Sequence, residues 1–444
     1  MKTSLTERDS RVIWHPYTQH KGFHPPIPVV KGKDSLLFDD QGNAYIDAIS
    51  SWWVTIHGHA HPYIAEKLYE QALRLEQVIF TGFTHEPAVT LAERLLPLLP
   101  GDFSRFFYSD NGSTAVEVAI KMVIQYWSNK AGETQGASGV SQDGNAPQRN
   151  KILAFRHSYH GDTFGAMSVS ERSVFTDAFR DYLFEPVFID TPTSENLPQL
   201  LAFLRTHGRE CAGFIYEPLL QAAGGMRMMD AALLDRLLDA AADEGILCIA
   251  DEVLTGFGRT GKLFAGEYLR HKADIICLSK GLTGGTMALG VTATTERIFD
   301  AFLSDDKRKT LFHGHSFTAN PLACTAALAS LDLLLRAECS EGIRRITARH
   351  QAFLETLRPY PIVRHPRALG TLLAFEISTG PDEYINAIGP AITREALATG
   401  IYLRPLGNTV YFMPPYCITE KEMDQVYEFL VHCIVKYSGE AVTS

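Results

Sequence analysis

The 444-residue chain has no cluster of lysine and arginine, no cysteine pair at CxxC spacing, no apolar stretch approaching a membrane span and no repeat at solenoid periods. Each absence closes a class of function. A formal net charge of −10 spread over the whole length leaves nothing to neutralise a phosphate backbone, so nucleic-acid binding is disfavoured and the acidity serves solubility. The seven cysteines (Cys211, Cys248, Cys277, Cys324, Cys339, Cys417 and Cys433) are odd in number, scattered and often set in apolar runs, which fits a reduced compartment. No metal site is expected. The first residues, MKTSLTERDSRVIW, contain no apolar core of signal-peptide length, so the expected location is cytoplasmic, with no membrane partner.

What is present is an ordinary globular balance, 45% hydrophobic and 21% charged, in a chain long enough for one large domain and a smaller companion. Short apolar runs alternate with amphipathic segments. RFFYSD (105–110), KILAF (151–155), AGFIY (212–216), GILCIADE (245–252), DIICLSK (274–280) and ALGVTAT (288–294) are continuous, as strands buried on both faces must be. AVEVAIKMVIQYW (115–127) and DAALLDRLLDAAADE (230–244) read as helices between them. The pattern predicts an α/β fold with a mostly parallel central sheet, in which ligands sit outside the carboxyl ends of the strands. Asp251 and Lys280 both end apolar runs, a placement that allows them to face one crevice. Residues 131–150, rich in Gly, Ser, Gln and Asn, read as an inserted surface loop. SLLFDDQGNAYIDAIS (35–50) reads as a hairpin turning at DDQGN. The expected division is a segment 1–60 contributing to the small domain and the site, a large domain 61–324, and a small α+β domain 325–444 with strands near 371–377 and 408–416.

Three groups carry chemistry. After RFFYSD come Asn111, Gly112, Ser113 and Thr114, and Thr114 with Glu117 makes a capping-box pattern. A helix N-terminus beside a glycine and a serine hydroxyl suits a phosphate dianion, although a capped helix without a ligand would read the same way. Asp251 alone is equally ambiguous. Paired with Lys280 it supplies the two groups that pyridoxal phosphate requires: an amine to link to the aldehyde and a carboxylate to keep the pyridine nitrogen protonated. A protonated ring is the better electron sink, and a lysine displaced by a substrate amine becomes a general base beside it.

The stretches ADEVLTGFGRTGKLFA (250–265), LSKGLTGG (278–285), SYHGDTFGAMSVS (158–170) and NPLAC (320–324) resemble the class III, ω-type aminotransferases of pyridoxal-phosphate fold type I, over nearly the whole chain. The resemblance implies that Lys280 binds the cofactor aldehyde, that Asp251 meets its ring nitrogen, that Tyr159 stacks on the ring and that Gly112 and Ser113 receive its phosphate. Ser316, in FHGHSF (312–317), stands where the family supplies a hydroxyl to the phosphate of a partner subunit, which implies a homodimer with shared active sites. Proline and threonine are usual at the positions of His315 and Ser316. Serine keeps the hydroxyl, and His315 is either a harmless surface replacement or a change in donor recognition.

IWHPYTQH (13–20), SSWWVTIHGHAHP (50–62), GGMRMM (224–229), LTGGTMALG (282–290) and YLRPLGNTVYFMPPY (402–416) resemble the branch of the family that acts in biotin biosynthesis. That likeness implies ping-pong transfer of an amino group from S-adenosylmethionine to 8-amino-7-oxononanoate, with Tyr17, Trp52, Trp53, Gly314, Arg404 and Tyr411 contacting substrate. A guanidinium suits a distal carboxylate because its planar fork makes two charge-assisted bonds, but Arg404 also fits a domain-interface salt bridge. Trp52 and Trp53 make either plain core or an aromatic wall that accepts an aliphatic chain and a sulfonium in turn. Glu217 resembles an active-site acid of no definite role, and Arg259 reads as structural. Lysine as donor, or another ω-amine with 2-oxoglutarate, would share Lys280 and Asp251. A binding protein that kept only the fold would be expected to have lost one of them.

Overall fold

A strand that packs helices on both faces must be apolar at every position, and the centre of the molecule is built from such strands. The computed structural model describes residues 3–22, 25–134, 149–378 and 387–440. Along the chain, β1 (Val29–Lys33), β2 (Leu36–Asp39) and β3 (Ala44–Asp47) form an antiparallel meander. The turn between β2 and β3 lies at DDQGN, where the Asp39 carboxylate accepts from the Gln41 and Asn43 amides at 3.0 and 2.8 Å. Next come β4 (Phe103–Ser109), β5 (Lys151–Phe155), β6 (Val187–Ile189) and β7 (Cys211–Tyr216), then a small hairpin of β8 (Leu220–Gln221) and β9 (Arg227–Met228). β10 (Leu247–Asp251), β11 (Ile275–Leu278) and β12 (Gly290–Thr295) complete a seven-stranded sheet in the order β4-β12-β11-β10-β7-β5-β6. β12 runs antiparallel to both its neighbours, and the remaining pairs are parallel.

The two faces of this sheet enter different cores. Ile249 and Ile275 pack with Val116, Ala119 and Val123 of the helix Gly112–Thr134. Their neighbours Cys248 and Ile276 join the larger core on the other side. Continuous burial in the sequence is therefore two period-2 patterns laid over each other.

β13 (Val363–Leu369), β14 (Leu372–Ile377) and β16 (Thr409–Phe412) form a separate antiparallel sheet, and β15 (Ile401–Tyr402) pairs in parallel with β3. The N-terminal meander thus shares a sheet with a strand from the C-terminal part. Residues 135–148 of the inserted loop lie outside the described residues. Among the described residues no helix is long and apolar enough to cross a membrane, and no group of three or more His, Cys, Asp or Glu is arranged to hold a metal ion.

One expectation is corrected. Thr114 and Glu117 do not form a capping box, because the helix starts at Gly112 and Glu117 lies beyond its first exposed amides. Asn111 is the cap: its Oδ1 accepts from the Thr114 amide at 3.0 Å. The Glu117 carboxylate serves the next helix instead, accepting from the Gly165 and Ala166 amides at 2.6 and 3.2 Å.

Candidate active site

β10 ends in Asp251, and its parallel neighbour β11 leads through Ser279 to Lys280, so a carboxylate and an amine arrive at one edge of the sheet. Both line a cavity of about 680 Å³, together with Gly112, Ser113, Tyr159 and Trp53. Lys280 has φ of 47°, an unfavourable backbone conformation for a residue with a Cβ, on the residue that points its amine into the cavity. Burial pulls the Lys280 ammonium down to about 8, while Asp251 and Glu217 oppose the shift. About a tenth of this amine is thus a free base at pH 7, far more than for a solvated lysine.

Asp251 is held from two sides. Its Oδ1 accepts from the Val253 amide at 3.1 Å, and its Oδ2 lies 2.6 Å from Nδ1 of His160. Nε2 of His160 is shut from solvent without a hydrogen-bond partner, so a proton there would be stranded. The proton therefore belongs on Nδ1, donated to Asp251. Glu217 accepts from the amides of Tyr159 and Ala222 at 3.1 and 3.0 Å, and burial raises its carboxyl to about 7.

At the other end of the cavity stands the N-terminus of the helix Gly112–Thr134. A Cβ on Gly112 would lie 2.6 Å from Cγ1 of Val253, so only glycine lets the helix start this close. Ser113 Oγ bonds Thr163 Oγ1 at 2.8 Å and accepts from the Thr163 amide at 3.0 Å. At Gly161, with φ of 128°, a Cβ would meet Ser113 Oγ at 2.3 Å.

Of the aromatic residues expected at the site, Trp53 and Tyr159 line the cavity, while Tyr17, Trp52 and Tyr411, like Arg404, stand outside its lining and reach it through their neighbours. Lys280 Nζ lies 4.6 Å from the centre of the Trp53 ring, and Trp53 Nε1 donates to the Tyr411 hydroxyl at 3.0 Å. The Arg404 guanidinium stacks 4.5 Å over Trp52, whose other neighbour is Tyr17 at 5.5 Å in an edge contact. The Tyr17 hydroxyl donates to Asp162 and lies 3.5 Å from that of Tyr159. Burial drives the Tyr159 hydroxyl far above its ordinary range. Arg259 is buried, donating to the carbonyls of Pro414 and Trp53 at 2.9 and 3.3 Å. Gly314 and Ser316 do not line this cavity; the Ser316 carbonyl accepts from Gln77 at 2.7 Å, and His315 faces Asp110 at 3.5 Å.

Sequence reading missed the roles of His160, Asp162 and Thr163, although all three lie in SYHGDT. His160 meets Asp251 across 91 residues, and no local spacing announces such a pair.

The residues present fit pyridoxal phosphate. An amine, a buried carboxylate, an aromatic ring and a helix N-terminus each match one part of it, and the cavity is of cofactor size.

The family model described as Aminotransferase class-III matches residues 17–434. The curated adenosylmethionine-8-amino-7-oxononanoate aminotransferase of Synechococcus elongatus is 45% identical over 425 residues, covering 94% of this chain and 96% of that protein. The crystal structure of the enzyme of the same name from Methanocaldococcus jannaschii superposes with a TM-score of 0.90 at 32% identity, covering 97% and 98% of the two chains. An ω-transaminase from Pseudomonas jessenii, solved in complex with PMP, shares the fold with a TM-score of 0.87 at 24% identity over 98% and 99%. The cavity thus sits in pyridoxal-phosphate fold type I, and the chain belongs to the class III aminotransferases.

Proposed function

We propose that this enzyme transfers the amino group of S-adenosylmethionine to 8-amino-7-oxononanoate, giving 7,8-diaminononanoate for biotin biosynthesis, in two half-reactions at one cavity. The observation that carries the reading is the meeting of Lys280 and Asp251 in a cavity walled by Trp53, in a chain 45% identical to a relative of that name. Gly112 and Ser113 would hold the phosphate of pyridoxal phosphate, Asp251 its ring nitrogen, Tyr159 its ring face and Lys280 its aldehyde carbon. When bound, the cofactor supplies the electron sink that makes a carbon beside the amine acidic.

The protein does the rest. Lys280 Nζ, lowered to about 8, takes the proton from the donor carbon that bears the amine and in the second half returns one to the acceptor carbon. His160 keeps Asp251 in register by its hydrogen bond. Trp53 and Trp52 offer aromatic faces to the sulfonium donor and to the aliphatic acceptor. Arg404, fixed on Trp52, is the partner for the acceptor's carboxylate.

The working unit in this reading is a homodimer in which Ser316 completes the phosphate site of the partner, and the chain divides at about residues 60 and 324. The sharing of one sheet by β3 and β15 supports joining the N-terminal segment to the small domain. Seven free cysteines support a cytoplasmic location.

The test is a half-reaction. Cofactor-loaded protein is mixed with S-adenosylmethionine alone, or with lysine alone, and the cofactor absorption is followed. Conversion to the amine form by S-adenosylmethionine and not by lysine, absent in Lys280→Ala, is the expected result. Conversion by lysine only would keep the chemistry and overturn the donor.

A further inference from the structure

Four consecutive residues beside the cavity, Ser50, Ser51, Trp52 and Trp53, have φ of 51°, 53°, 93° and 73°. None is glycine. The Trp53 amide donates to Ile49 O and the Val54 amide to Ser50 O, both at 2.9 Å, so the segment is a left-handed helical turn. L-residues enter that conformation singly; a run of four is strained and must be held by its surroundings.

Asp47 does most of the holding. It is fully buried, and both its oxygens are occupied: Oδ1 accepts from the Ile49 and Ser51 amides at 3.3 and 2.9 Å, and Oδ2 from Ser51 Oγ and His59 Nε2 at 2.7 and 2.9 Å. Ser50 Oγ adds a bond to Met413 O at 2.8 Å. What the turn presents is the pair of tryptophans, Trp53 over Lys280 and Trp52 under Arg404. Asp47 is also the residue of β3 that pairs with Tyr402, two positions before Arg404. One carboxylate therefore sits where the backbone of the aromatic wall and that of the arginine strand meet.

We propose that Asp47 is a positioning residue for substrate selection: by clamping residues 50–53 left-handed it aims Trp52, and Arg404 stacked upon it, at the carboxylate-bearing chain of the amino acceptor. The inference rests on the aminotransferase reading above. A relaxed turn would swing Trp53 off the cavity wall and move Trp52, leaving Arg404 without its platform. Lys280 would keep its place at the end of β11 though Trp53 shifts above it, and Asp251 and the helix at Gly112 lie on other elements, so cofactor loading would persist.

The test uses Asp47→Asn and the milder Ser51→Ala in the cofactor-loaded enzyme. Two acceptors are compared, 8-amino-7-oxononanoate and the same amino ketone without its terminal carboxylate. For Asp47→Asn the expected result is normal cofactor absorption, KM for the carboxylate-bearing acceptor up about tenfold, kcat within about threefold, and little change for the carboxylate-free one. The near-ultraviolet circular dichroism of the tryptophans should change with it. Equal losses on both acceptors, or unchanged kinetics with an unchanged dichroism spectrum, would overturn the proposal. If Asp47→Asn does not fold, Ser51→Ala is judged by the same contrast between acceptors, with a KM rise of about threefold expected. If the wild type does not use S-adenosylmethionine, the donor assignment falls by itself, and the same acceptor pair is run with whichever amine loads the enzyme.

Discussion

Lys280 is an ammonium carried into a place where water solvates it poorly, and its lowering to about 8 has a consequence that needs no substrate. Below pH 8 the cofactor-free protein bears the full penalty of a buried charge, because folded and unfolded chains are both protonated. Between pH 8 and 10.5 the folded chain has released a proton that the unfolded chain still binds, so stability rises with pH across that window. Lys280→Met should remove the slope and stabilise the cofactor-free protein at pH 7 by roughly 3 kcal/mol, the value of the shift at 1.36 kcal/mol per pH unit. Urea denaturation at several pH values reads both effects. A wild-type curve that is flat from pH 8 to 10 would show that the amine is solvated after all. Glu217, raised to about 7 by burial, has the opposite sign: its folded form holds a proton that the unfolded chain loses above pH 4.5, so its contribution falls as pH rises towards 7.

At the scale of elements, the approach of the helix Gly112–Thr134 to the loop after β10 sets the phosphate end of the cavity. Gly112→Ala would drive a methyl to 2.6 Å from Val253 and push the helix start away from the sheet edge. Overpacking of this kind costs about 1–3 kcal/mol, which should appear as roughly tenfold weaker retention of pyridoxal phosphate on dialysis, with the protein still folded. Unchanged retention would mean that Val253 moves freely and that the glycine has another cause. The strands and this helix were legible in the sequence because burial on two faces leaves continuous apolar runs, and Asp251 and Lys280 were legible because they end such runs. The cap was misread for a local reason: Thr114 and Glu117 have the right spacing, and only the start of the helix at Gly112 shows that Asn111 does the capping. The His160–Asp251 pair and the left-handed turn at 50–53 were not legible. One depends on a contact across 91 residues, and the other on a backbone conformation for which Ser-Ser-Trp-Trp carries no signal.

At the scale of the whole molecule, several large apolar side chains stand exposed on the two segments that flank Ser316 and Gln77. Phe312 and Phe317 expose 72% and 61% of their surface, and Ile79 and Phe83 expose 64% and 63%. Their segments are tied together, Gln77 donating to Ser316 O at 2.7 Å and Asn320 donating to Gln77 and to Glu76 O at 3.0 and 2.9 Å. Exposed apolar side chains on segments tied together in this way suit an interaction surface. Since Ser316 lies within it and away from its own cavity, a second copy docked here would bring that hydroxyl towards another site. Each chain carries −10, so two copies repel at low ionic strength, and apolar contact holding them together should tighten as salt is added. Sedimentation of the wild type is expected to show a dimer whose dissociation falls with salt. Phe312→Arg with Phe317→Asp should yield a folded 49.3 kDa species that binds pyridoxal phosphate at least about tenfold more weakly, since it lacks the partner's hydroxyl. A double variant that stays dimeric would place the interface elsewhere, and a monomer that keeps its cofactor would show that each cavity is complete within one chain.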